Sequence, residues 1–235
     1  MLRSPWAAMG LTLLIALVWL RINDFVAHKG WVDSKLSRKI IHIGTGPVFV
    51  LCWLLFPDVP VSRFLAALVP AGISVQFAAV GLGLVDDQAA VDAMSRSGNR
   101  REILKGPLLY GIVFVVLTLA FWKTSEIGVV ALMMLCGGDG LADVIGTRVK
   151  SAKLRWSKYK TVAGTLGVFF GGLVFSAIVL YVFHANGVFN GPMSGHLWRL
   201  AVIAFAAAMV ESLPVKDIDN LTVPLTVVML GSLLY

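Results

Sequence analysis

Gly137–Thr165, GGDGLADVIGTRVKSAKLRWSKYKTVAGT, is the stretch whose reading decides the fold. The chain is apolar from 125 up to this point, meets two carboxylates, Asp139 and Asp143, and then carries six cations with no acid among them. Those cations are Arg148, Lys150, Lys153, Arg155, Lys158 and Lys160, and from Thr161 the chain is apolar again as far as 183. Two long apolar runs joined by a short basic loop are the pattern of two helices that cross a bilayer and meet at one face. Asp139 and Asp143 are four residues apart, so on a helix they share one face, as two ligands of one divalent cation should. Gly137, Gly138 and Gly140 leave room around Asp139 for backbone or a phosphate to approach. A metal site beside excess positive charge suits a polyphosphate.

The rest of the chain has the character of these flanks. Of 235 residues, 58% are hydrophobic and 14% charged, where soluble domains have about 45–50% and about 25%. Apolar runs lie at about 5–22, 40–56, 62–85, 107–122, 125–145, 161–183, 197–214 and 218–235. Most reach the roughly 17–25 residues a spanning helix needs, and the first and last are marginal. The expected fold is an all-α polytopic transmembrane bundle of eight helices, or seven if one marginal run does not span. The first run has only Arg3 before it and no small-residue cleavage signal after Leu20, so it reads as an anchor. Neither repeat nor low-complexity segment divides the sequence, and 1–235 reads as a single domain. Cys52 and Cys136 both fall inside apolar runs, as buried thiols do.

A net charge of +7 raises nucleic-acid binding, but the cations sit in short loops between apolar runs, which excludes it. Of twenty Lys and Arg residues, sixteen lie in the loops 21–39, 86–106, 146–160 and 215–217. On the other side are only Arg3, Arg63, Lys123 and Arg199. The positive-inside rule then makes the first set cytoplasmic and places both termini on the non-cytoplasmic side. That assignment gathers polar residues far apart in sequence at one membrane face, where nucleotides are available. They are Arg38, Lys39 and His42, the segment RREILKGP at 100–107, the Asp139/Asp143 face, Lys158–Thr165, and Glu211–Asn220. The one long polar segment, 86–106, reads as a short interfacial helix followed by a turn at Ser97-Gly98-Asn99, placed to cover a nucleotide.

Several of these residues have chemistry of their own. Lys160 and Thr161 open a helix with Gly164 and Thr165 in its first turns, so ammonium, hydroxyl and free amide groups meet where a phosphate would bind. Lys158 is the second candidate there, whereas Arg148, Lys150 and Arg155 read as topology signals. His42 shares a helical face with Arg38 and Lys39. Glu211 ends an apolar helix, and Asp219 and Asn220 follow it as candidates for metal or nucleotide contact, with Asp217 a solvated loop acid. Gly164, Gly167, Gly171 and Gly172 read as close helix packing. No GxxxxGK followed by Ser or Thr occurs, which excludes an ordinary P-loop.

Five motifs in order, SRKIIHIGTG, RREILKGPLLYG, GGDGLADVIGTR, KYKTVAGTLGVFFGG and ESLPVKDIDNLTVPL, resemble the family of phytol kinases and dolichol kinases. These are CTP-dependent membrane enzymes, related to CTP-dependent diacylglycerol kinase and more distantly to phosphatidate cytidylyltransferases. The resemblance covers all but the first helix. It implies phosphoryl transfer from CTP to the hydroxyl of phytol or a similar prenol, with Mg2+ or another divalent cation and a membrane-embedded isoprenoid substrate. It makes Asp139 and Asp143 the acidic metal pair joined by Glu211, and Lys158, Lys160 and Thr165 the phosphate-side motif. Glu211, Asp219 and Asn220 become the last polar cluster. Asp143 or Asp219 would orient the alcohol, and Lys160, Lys158, Arg38 and Lys39 would offset the charge of the transferring group. The alternatives are a glycerolipid kinase or cytidylyltransferase and, from another class, a cation-coupled transporter, against which the gathering of polar residues at one face argues.

Overall fold

All eight apolar runs are helical. The computed structural model describes residues 1–235 apart from Arg96, Pro192, residues 215–217 and the side chains of Ser34 and Ser194. The expectations for Lys216 and Asp217 therefore lie outside the described residues. The helices are α1 (Pro5–His28), α2 (Ser34–Cys52), α3 (Val61–Leu82), α4 (Gln88–Met94) and α5 (Gly106–Ala120), then α6 (Glu126–Met133), α7 (Gly140–Arg148), α8 (Val162–Ala185), α9 (Ser194–Glu211) and α10 (Asp219–Leu234). A π-helical turn, Met134–Asp139, runs α6 into α7. Counting Glu126–Arg148 as one, six helices among the described residues are long and apolar enough to cross a membrane, and Asp219–Leu234 is apolar but shorter. Among the described residues the only β pairing is an isolated bridge between Lys153 and Thr161, so the fold is all-α.

The helix starts are written locally. Asp33 accepts the Leu36 amide at 2.9 Å before α2, Asp87 the Ala90 amide at 3.0 Å before α4, and Thr161 the Gly164 amide at 3.1 Å before α8. Each satisfies an amide that the first turn leaves without an intrahelical partner. Inside the apolar helices, hydroxyls bond back one turn to a carbonyl: Thr12 to Ala8 at 2.8 Å, Ser74 to Pro70 at 2.7 Å and Thr118 to Phe114 at 2.6 Å. In a low-dielectric surround this satisfies the hydroxyl without a second helix.

The chain forms two compact units, Met1–Leu119 and Ala120–Tyr235. In the first, α1 packs on α2 and α3, and Leu20, Ile41, Phe77, Val80, Met94 and Ile103 form a shared core. The expected short helix in the 86–106 segment is α4, with Ala90, Val91, Ala93 and Met94 buried and Gly98 turning at φ 79°. An ion pair at 3.1 Å from Arg21 to Asp87 ties its start to α1.

In the second unit, α6 is the central helix. Val129 to Cys136 have no exposed surface, and the segment packs against α8, α9 and α10. α8 shows why a membrane helix needs no amphipathic stripe. One face carries Leu166, Phe170, Val174, Ile178 and Tyr181, all about half exposed, and the other buries Gly164, Gly167, Val168, Gly171, Gly172 and Ser176. The outer face is large and apolar for lipid, while the inner face is small so that backbones can approach. The glycines therefore pack helices, as their spacing implied: a Cβ built on Gly171 would overlap the Gly137 carbonyl, and one on Gly172 the Met134 sulfur.

That contact makes a test. Gly171→Ala should lower stability by about 1–3 kcal/mol, the range for overpacking against backbone. Gly10→Ala, with nothing within 4 Å of the new Cβ, should be near neutral. Thermal unfolding in detergent reads both, and equal shifts would mean that the α8 glycines are not a tight seam.

Candidate active site

Asp139 ends the π turn, which packs against α8. A π turn adds a residue to the helical repeat, and such turns recur at functional sites because they re-aim the side chains that follow. Asp139 is 9% exposed and Glu211, the last residue of α9, 5%. Asp219 opens α10, and one carboxylate oxygen from each of the three lies within 4.8 Å of the others. Asp219 stands at a helix N-terminus, where negative charge is favoured, but Glu211 stands at a C-terminus, where it is not. A buried acid at the unfavourable end of a helix needs a cation.

Lys160 is that cation. Its Nζ donates to Glu211 Oε1 and, at 3.0 Å, to Asp219 Oδ2. Burial acts to lower its pKa, but attraction to Glu211 and then Asp219 outweighs this and raises it above the usual lysine range. The basic loop delivers Lys160 by folding into a small hairpin. Leu154 N donates to Lys160 O at 3.1 Å and Val162 N to Ala152 O at 3.0 Å. The Lys160 amide donates to Ser157 Oγ at 3.2 Å. The Trp156 indole N–H reaches Ser212 O at 3.1 Å, pinning the loop to the end of α9. This accounts for a loop longer than a tight phosphate turn requires. Three carboxylates and one ammonium leave a formal charge of −2, which one divalent cation neutralises, and an all-oxygen donor set suits a hard ion such as Mg2+.

The structure joins the expected site residues differently from the sequence reading. Asp139 and Glu211, expected as metal ligands, come together, and Asp219 completes the set. Asp143 does not belong to it and is exposed. Asp143 follows Asp139 by four helical residues and so lies one turn, about 6 Å, further along α7. Thr161 and Gly164 are bonded to each other in the α8 cap, and Gly164 packs on Ala142. Thr165 keeps a buried hydroxyl without a hydrogen-bond partner among the described residues. Lys158 is exposed and Asn220 half-buried beside Asp219 in the first turn of α10. Arg38, Lys39 and His42 belong to the N-terminal unit, half-buried on α2. There the His42 ring packs on Tyr110 at 4.5 Å and the Tyr110 hydroxyl donates to the His42 carbonyl at 2.7 Å.

Apolar helices of spanning length, with a largely buried cluster of one lysine and three carboxylates within one unit, define a helical membrane protein. No family model and no solved structure matches the chain. It is 38% identical over 231 residues to the probable phytol kinase, chloroplastic, of Triticum aestivum, covering 96% of this chain and 77% of that one. It is 39% identical over 234 residues to the farnesol kinase, chloroplastic, of Arabidopsis thaliana, covering 99% and 76%. With the probable phytol kinase 1, chloroplastic, of Oryza sativa subsp. japonica it shares 39% over 217 residues, covering 92% and 69%. The chain belongs to the phytol kinase family.

Proposed function

We propose that the protein is a prenol kinase that transfers the terminal phosphoryl group of CTP to the hydroxyl of phytol or a similar isoprenoid alcohol. The printed activities of the relatives, phytol kinase and farnesol kinase, support the reaction class. Within the chain, the observation that carries the reading is the Asp139/Glu211/Asp219 cluster with Lys160 inserted into it. The alcohol oxygen bonds to the terminal phosphorus, the bridging P–O bond breaks to release CDP, and the hydroxyl proton leaves to a carboxylate. Asp219, with 24% of its side chain exposed, is the most accessible of the three and accepts that proton. Asp139, Glu211 and Asp219 would hold a divalent cation, which supplies neutralisation of the donor phosphates. Lys160 fixes the positions of Glu211 and Asp219, because positioning and electrostatics carry most of phosphoryl transfer. The sixteen-to-four division of Lys and Arg supports an active site on the cytoplasmic or equivalent face.

The test is a thin-layer assay of detergent-purified protein with labelled CTP or ATP against phytol, farnesol, undecaprenol and diacylglycerol. Release of CDP that depends on a prenol and on Mg2+ is the expected result. Release of pyrophosphate, or a preference for diacylglycerol, overturns the reading. In sealed right-side-out vesicles with external CTP the activity should appear only on permeabilisation; activity before it would reverse the orientation.

A further inference from the structure

A second polar cluster lies at the opposite ends of the same helices. Glu126 opens α6, His184 is in the last turn of α8 and His196 in the first turn of α9. Glu126 is thirteen residues from Asp139 and His196 fifteen from Glu211, so the two clusters are separated by roughly 20 Å along the helix axes. Nothing in the proposed phosphoryl transfer uses this second group.

Its geometry is that of a ligand set. His196 Nδ1 lies 2.8 Å from Glu126 Oε2, and His184 Nε2 lies 3.3 Å from Glu126 Oε1. One donor atom from each residue lies within 4.8 Å of the others, and the three side chains are only 8–11% exposed. These contacts are close but not aligned as hydrogen bonds. Glu126 Oε2, both ring nitrogens of His184 and His196 Nδ1 are buried with no hydrogen-bond partner among the described residues. Buried polar atoms are nearly always satisfied, so three side chains that each bring one unsatisfied donor atom to within 4.8 Å of the others need an explanation. A cation accepting one lone pair from each of the three side chains supplies one. Arg199 lies within electrostatic reach of Glu126, and its guanidinium carbon is 5.1 Å from the centre of the Tyr235 ring.

We propose that Glu126, His184 and His196 form a binding site for a borderline-soft divalent cation of the zinc type, which staples the ends of α6, α8 and α9. The chemistry separates it from the carboxylate cluster. Two imidazoles and one carboxylate favour zinc-like ions, whereas three carboxylates favour a hard ion such as Mg2+. Three protein ligands leave a fourth position for water. Because the site joins three helices and does not exist in the unfolded chain, bound metal raises thermal stability.

The experiment uses the full chain purified in detergent without a polyhistidine tag, stripped with chelator and titrated with Zn2+ against a chromophoric competitor. Desalting and elemental analysis count the retained metal. The expected result is one zinc per chain and a Tm rise of several degrees on adding it. His184→Gln and His196→Gln should each weaken binding at least ~10-fold and lose the Tm rise. Asp139→Asn should keep both. If a histidine variant fails to fold in the stripped form, Glu126→Gln and the visible absorption of Co2+ added to the parent carry the test, since a tetrahedral nitrogen–oxygen site gives a distinct spectrum. A parent that retains no zinc, a parent with no such Co2+ spectrum, or variants that retain as much zinc as the parent would overturn the site.

Discussion

Asp139→Asn should cut CDP release by ~10²-fold or more, on the scale of losing one preorganised electrostatic group in an active site, while Asp143→Asn stays within several-fold of the parent. The contrast follows from placement. Asp139 is buried beside the buried Glu211 and the half-buried Asp219, and Asp143 is exposed one turn away. Asn keeps the shape of Asp and removes a buried negative charge, so the variant should elute and melt like the parent, and the loss then belongs to chemistry. Glu211→Gln should resemble Asp139→Asn, and the double variant should be little worse than either, because groups that hold one ion act as a unit. A Mg2+ titration of CDP release with the parent and the four variants reads all of this. Comparable large losses at Asp139 and Asp143, with Glu211→Gln near the parent, would restore the i,i+4 pair and dismiss the cluster.

Lys160→Met should destabilise the protein by about 2–4 kcal/mol, a little below the range for breaking a fully buried ion pair because the lysine and Asp219 are partly exposed. Removing the ammonium leaves the buried Glu211 carboxylate uncompensated at a helix C-terminus. The pH dependence has a definite sign. Lys160 has a raised pKa in the folded protein, so its contribution is complete below the unfolded lysine value of about 10.4 and is lost as pH rises through the higher folded value. The Tm difference between parent and variant should stay constant through neutral and mildly alkaline solution and shrink only in strong alkali. Mg2+ should raise the Tm of Lys160→Met more than that of the parent, since the cation takes over compensation that the parent already has. Equal Mg2+ shifts would mean that Lys160 and the ion do not share the cluster.

The seam between α7 and α8 was legible in the sequence because its information is local. Gly164, Gly167, Gly171 and Gly172 recur at helical spacing, and small residues at that spacing have one main use between apolar helices. The caps Asp33, Asp87 and Thr161, which the structure identified, are also local contacts, each an acceptor three residues before the amide it satisfies. The pairing of Asp139 was not local. Four-residue spacing put Asp143 on its face, but spacing carries no information on depth along the helix, and depth decides which acid meets α9 and α10. Thr161 and Gly164 were drawn towards a phosphate by the same limitation, since a helix start exposes amides only until its own cap occupies them. The Glu126, His184 and His196 cluster left no mark at all, its members being scattered singly at three helix ends.

By itself the sequence determined the all-α membrane fold, the eight helical runs and the phytol kinase family, because hydrophobicity, glycine spacing and short motifs act over neighbouring residues. Only the tertiary structure decided that Lys160 enters between Glu211 and Asp219, that Asp139 joins them in place of Asp143, and that two histidines close on Glu126. Those contacts join helix ends that are 51 to 59 residues apart in the chain for the lysine pairs. Their geometry is set by how α6, α8, α9 and α10 pack, and a one-dimensional pattern has no term for that packing.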